Sequence, residues 1–184
     1  MKNLLIFTFL VLSTLTFAQK KNLIDAVIIK NTNDTINSKI LIYSNLFKKD
    51  LLDENSFIST TYLVDENGKS KGKIRAKEIK KLYFTDLNGE NRIYVNNGKH
   101  LKVLFFDGKK IKWYRDLSRN FYDGTISYSD YLVDEKNKIY KIGFLNNIKK
   151  NLLEATKSKP ELSKDIENYK TYGDILEILK KYDQ

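Results

Sequence analysis

The 184-residue chain has no cysteine, and only one proline, one methionine, one tryptophan and one histidine. Without cysteine there is no disulfide framework, thiolate nucleophile, Cys-ligated zinc or thiolate-held cluster. An acyl anchor on an N-terminal cysteine is excluded for the same reason. With a single histidine, no transition-metal site is expected. No glycine-rich phosphate loop, G-x-S-x-G elbow or H-E-x-x-H pair occurs. Arginine is also scarce: Arg75, Arg92, Arg115 and Arg119 are the four among 33 basic residues. Sequence-specific readers of nucleic acid rely on the bidentate arginine fork, so a lysine-dominated excess argues against that class.

What is present begins with an address. Residues 1–18 read MKNLLIFTFLVLSTLTFA, with Lys2, an apolar run from Leu4 to Phe17 and a small-x-small ending at Thr16-Phe17-Ala18. This is the pattern of a secretory signal peptide cleaved between Ala18 and Gln19. The alternative, a retained anchor, needs ~20 apolar residues to span a bilayer, and the run is shorter. No later segment is apolar enough to cross, so the mature chain is expected in the periplasm or outside the cell. The formal charge is +10. Its lysines recur as pairs along the chain, from Lys20-Lys21 to Lys180-Lys181, which reads as solvated faces and not as one basic stripe.

From residue 19 to 143 the pattern is β. Short β-branched and aromatic runs are broken by Asn, Asp and Gly. Ala26–Ile29 and Thr35–Tyr43 read as one hairpin. Phe57–Val64 and Lys71–Ala76 form a second around Asn67-Gly68, a pair suited to a type I′ turn. Ser44–Asn55 is less regular, either a helical turn or an edge loop. Strands Ile79–Thr85, Asn91–Val95, Lys99–Phe106, Lys110–Arg115, Ile126–Val133 and Lys138–Ile142 follow, with a polar loop at Ser118–Gly124. The expectation is an α+β fold: an antiparallel meander forming a curled sheet, an open barrel or a sandwich, then two to three short helices. These helices occupy 144–184 and dock on the sheet. Asn147–Lys157 is capped by Asn146 or Asn147, the next runs from Pro160 to about Tyr169, and the third begins near Thr171 or Gly173-Asp174.

No catalytic, cofactor or metal residues stand out. His100 reads as an exposed strand-end residue. The acidic groups Asp50, Asp53, Glu54 and Asp65-Glu66-Asn67-Gly68 lack calcium-loop spacing and read as turn chemistry. The richest stretch is Lys109, Lys110, Lys112, Trp113, Tyr114, Arg115 and Arg119, with Phe121, Tyr122, Tyr128 and Tyr131 close behind. Interleaved cations and aromatics stack on rings, but alternation along a strand also puts Ile111, Trp113 and Arg115 on one core-facing side and Lys112 and Tyr114 on the other. This stretch is the candidate ligand surface.

The residues that carry a resemblance are the Phe-Ala-Gln end of the export signal, the hairpin Val27–Lys30 to Lys39-Ile40, the segment Ala76–Phe84, and the helical end from Leu152 through Pro160-Glu161-Leu162 to Tyr182. Together they resemble a group of uncharacterised exported proteins of Bacteroidota. The resemblance implies export and a β-rich fold with helices, and implies nothing catalytic. Three function classes follow as expectations. The first is a non-enzymatic envelope module that contacts another protein. The second is a salt-dependent binder of anionic glycan or lipid through the basic aromatic strand. The third is a carboxylate-dependent hydrolase.

Overall fold

The computed structural model describes residues 20–45, 48–119, 126–142 and 147–184. The expected export signal and its cleavage site at Ala18 and Gln19 lie outside the described residues, as do Phe121, Tyr122 and the alternative cap Asn146. Among the described residues the fold is α+β: ten antiparallel strands followed by three C-terminal helices. It divides into two compact units, the first reaching Asn91 and including Gly98–His100, the second comprising Arg92–Asn97 and Leu101–Gln184.

The first unit holds β1 (Lys21–Lys30), β2 (Thr35–Tyr43), β3 (Thr60–Val64), β4 (Ser70–Arg75) and β5 (Ile79–Thr85), in the spatial order β5-β1-β2-β3-β4. Alternation along β1 buries Asn22, Ile24, Ala26 and Ile28 and exposes the residues between them from Lys21 to Val27. Ile24 pairs with Ile40 and Asn22 with Ile42, so one face of β1 and β2 is buried and, Asn22 apart, apolar at these positions. The Asn22 amide is satisfied by Ser44 Oγ at 2.9 Å. Phe57 and Phe84 meet edge to face at 5.5 Å. After β2, Ser44 forms a bridge with Leu52, and Asp53 caps a 3₁₀ turn, Glu54–Ser56. β5 pairs with β1 and so bypasses the three strands between them in the chain.

Four hairpin turns share one device. In each, the first residue donates its N–H to the residue four ahead and accepts from the residue three ahead: Lys30, Asp65, Asp86 and Asp134. The fourth position has positive φ: Asn33 at 67°, Gly68 at 79°, Gly89 at 80° and Asn137 at 61°. A type I′ turn at Asn67-Gly68 would need positive φ at both residues, and Asn67 is not in that region. The loop is instead a tight turn closed by a single left-handed residue, the three-residue hairpin arrangement. At three of the turns the leading Asp side chain also accepts two backbone N–H groups, as Asp65 does from Asn67 and Lys69. The acidic residues there are turn chemistry.

The second unit contains β6 (Asn91–Asn96, largely), β7 (Leu101–Asp107), β8 (Ile111–Arg119), β9 (Ile126–Asp134) and β10 (Ile139–Lys141), ordered β10-β9-β8-β7-β6. Three helices follow: α1 (Ile148–Ala155), α2 (Ser163–Asn168, entered through a 3₁₀ turn at Pro160–Leu162) and α3 (Tyr172–Asp183). Asn147 caps α1, accepting the Lys150 N–H at 2.9 Å. A capping box opens α3, with Thr171 Oγ1 accepting the Asp174 N–H and Asp174 accepting the Thr171 N–H. The stripe Ile175, Ile178, Leu179 and Tyr182 packs with Leu152, Leu162 and Ile166 against Ile111, Trp113, Leu132, Tyr140 and Ile142. At six to twelve residues these helices are too short to persist alone, so that packing is what makes them helices.

Thr171→Ala removes the cap and is expected to cost about 1 kcal/mol in urea unfolding. A pH dependence also follows. The N–H groups of Lys170 and Thr171 hold the Asp174 carboxyl below its ordinary value of 3.8. At Asp134 burial pushes upward, but the Lys138 N–H, the Tyr140 hydroxyl and the Lys136 N–H outweigh it and lower the value. A folded-state value below the unfolded one stabilises above the unfolded value and is lost as pH falls through the folded one. Thermal unfolding should therefore give a flat Tm above about pH 5 and a decline through the range below 3.8. The decline should be shallower in Asp174→Asn.

Candidate functional site

Strand β8 sends Trp113 and Arg115 to the helix-covered face and Lys112, Tyr114 and Asp116 to the other, because side chains alternate. Trp113 is 2% exposed. Its ring lies 5.0 Å from Phe105 and stacks on Tyr172, the first residue of α3, at 5.6 Å and 29°. Among the described residues no acceptor reaches its buried Nε1–H. Arg115 and Asp130 are directly opposite in the β8–β9 register and form a bidentate pair, Nε to Oδ1 at 2.6 Å and an Nη to Oδ2 at 2.8 Å. Asp130 is buried, and the Arg115 side chain is 24% exposed. The guanidinium carbon stands 4.8 Å from the Phe105 ring centre, 5.2 Å from that of Tyr172 and 5.4 Å from that of Tyr128. Two of those rings, Tyr128 and Tyr172, are about half exposed at 55% and 52%. The result is an arginine fixed by a buried carboxylate and bracketed by two tyrosines that face solvent.

On the opposite face Tyr114 stacks on its register partner Tyr131 at 5.6 Å. Lys102 Nζ donates to the Tyr131 hydroxyl at 2.8 Å and sits 3.9 Å above the Tyr114 ring. Burial lowers the Lys102 ammonium from its ordinary value, opposed by the Asp116 carboxylate. Burial, then Asp116 and Tyr114, push the Tyr131 phenol up to about 12. The phenol is thus neutral at physiological pH, an acceptor for the lysine and not a base. Asn97 Nδ2 holds Asp116 at 3.2 Å, and Lys112 pairs with Asp107 at 2.7 Å.

The candidate surface read from sequence is therefore split. Trp113 and Arg115 lie under and beside α3, Lys112 and Tyr114 lie on the other face, and Lys109 and Lys110 occupy the β7–β8 turn. Of Arg119 only the backbone is described, as the last residue of β8. Phe105, Asp130 and Tyr172 complete the arginine cluster and Lys102 the tyrosine stack. None of these four was legible as a site residue, since each arrives through register or through the return of the chain. His100 is half-buried just before β7. Among the described residues no group of three or more His, Asp or Glu is placed to hold a metal ion. A shallow groove of about 340 Å³ between α2 and α3 is lined by Asp165, Tyr169, Asp174, Glu177 and Lys181, with Lys181 paired to Asp165 at 2.7 Å. The chain matches no protein-family model, no curated protein and no solved structure.

Breaking the Arg115–Asp130 pair leaves a buried carboxylate uncompensated. Arg115→Met should lower unfolding free energy by about 3 kcal/mol. The double variant Arg115→Met with Asp130→Leu should lose less than the sum of the two single losses, as read from a double-mutant cycle in urea.

Proposed function

We propose that this protein is an exported, non-catalytic binding module of the cell envelope, and that its contact surface for a protein partner is the Tyr128–Arg115–Tyr172 rim of the second unit. The observation that carries the reading is the exposure of two tyrosines on either side of an arginine whose geometry is fixed from beneath. Tyrosine and arginine dominate the energetic centres of protein interfaces, because both present large area at low conformational cost and keep a polar end. An arginine already ordered by Asp130 gives up little further side-chain entropy on binding. Export rests on the N-terminal pattern of residues 1–18. Among the described residues no helix is long and apolar enough to cross a membrane.

Anionic glycan or lipid is the second reading, supported by the formal charge of +10. It is the weaker one on β8 itself, where carboxylates already engage Arg115 and Lys112. A carboxylate-dependent hydrolase has less support still, since the Asp130 carboxylate is committed to Arg115 and Asp174 to the cap of α3.

The test is crosslinking and affinity purification of the tagged mature protein from its native envelope, at low and high salt, beside Tyr128→Ala and Tyr172→Ala. A stoichiometric protein that survives high salt and binds at least about 30-fold more weakly to both variants is the expected result, with the Tm of Tyr128→Ala unchanged. Binding that disappears in salt and is indifferent to both tyrosines would move the assignment to the anionic polymer.

A further inference from the structure

The end of α3 meets the sheet through a carboxylate. Asp183 Oδ2 accepts the Lys109 N–H at 3.0 Å and Oδ1 accepts the Lys110 N–H at 2.7 Å. The Ile111 N–H points at the same group. Three consecutive backbone donors thus converge on one anion, the arrangement of a backbone nest. The turn is shaped for close approach: a Cβ added at Gly108 would stand 2.6 Å from Asp183 Oδ1 and 2.6 Å from the Ile111 carbonyl oxygen. Lys110 Nζ closes over the helix end, donating to the Tyr182 carbonyl at 3.2 Å.

An aspartate is out of place at the last residue of a helix, because its charge adds to the negative end of the helix dipole. Lys180 and Lys181 are the residues that suit that end. The position of Asp183 is explained by what it enters, and not by the helix that carries it. We propose that the Lys109–Ile111 turn is a binding site for carboxylates and small oxyanions, that Asp183 is its resident ligand in cis, and that this occupancy fastens the end of α3. Burial pushes the Asp183 carboxyl up, but the three amides and Lys110 more than offset it, so that the carboxyl is held below its ordinary value.

The test uses the whole chain with Asp183→Ala, and Asp183→Ser as a milder polar replacement whose shorter side chain vacates the turn. Thermal unfolding is followed in sodium acetate and in sodium chloride at equal ionic strength, and the amide resonances of residues 109–111 are followed by NMR. Asp183→Ala should melt about 5 °C below the parent in chloride. Acetate should restore part of that loss along a saturating curve and shift the three amide resonances, while the parent protein responds to the two salts alike. Equal behaviour of the variant in acetate and chloride, or an acetate gain in the parent as large as in the variant, overturns the site. If Asp183→Ala does not fold, the same comparison in Asp183→Ser, whose shorter side chain also leaves the turn open to acetate, decides it by the same two outcomes.

Discussion

Burial of Trp113 and Leu132 beneath the helices is the contact from which the second unit is built. The chain has no cysteine to hold loops together, and helices of six to twelve residues gain little from propensity alone. Their apolar stripe must find a surface, and the alternating residues of β8, β9 and β10 supply it through Ile111, Trp113, Leu132 and Tyr140. Everything polar nearby is arranged around that contact. Asp130 enters a buried position only because Arg115 lies opposite it in register, and Tyr172 reaches the arginine because the first turn of α3 rests on the indole.

The lysine-rich composition has a matching explanation. Several lysines in the structure are tied to carboxylates or carbonyls: Lys39 to Asp25 and Glu66, Lys138 to Glu154, Lys181 to Asp165, Lys159 to the Lys181 carbonyl. Exposed pairs of this kind are individually weak and screened by salt. They keep the exposed faces of the sheet and of the helices polar. The positive charge is thus spread over solvated faces, as the distribution of paired lysines along the chain implies.

Local chemistry was legible in the sequence and long-range pairing was not. Asp65, Asp86 and Asp134 announce their turns because their side chains bond their own backbone a few residues on, and Thr171, Asn147 and Pro160 announce helix starts for equally local reasons. The two faces of β8 follow from alternation. By contrast, the single left-handed residue at Gly68 is a matter of loop closure that the Asn-Gly pair alone does not specify. The pairing of β5 with β1, the meeting of Arg115 with Asp130 and the stacking of Tyr172 on Trp113 depend on register and chain return, which no short window contains.

The placement of β5 beside β1 bears on how the first unit assembles. Its other neighbours, β1 with β2, β2 with β3 and β3 with β4, are consecutive in the chain, and short turns join the first and last of these pairs. Pairing Ile28 with Leu82 instead closes a loop that contains the whole of β2, β3 and β4. Loop-closure entropy makes that contact the most demanding one in the unit, and contacts distant in sequence slow folding more than they affect stability. The sheet order therefore separates what is quick from what is slow: hairpins that form locally, and one strand that must wait for them before it has an edge to join.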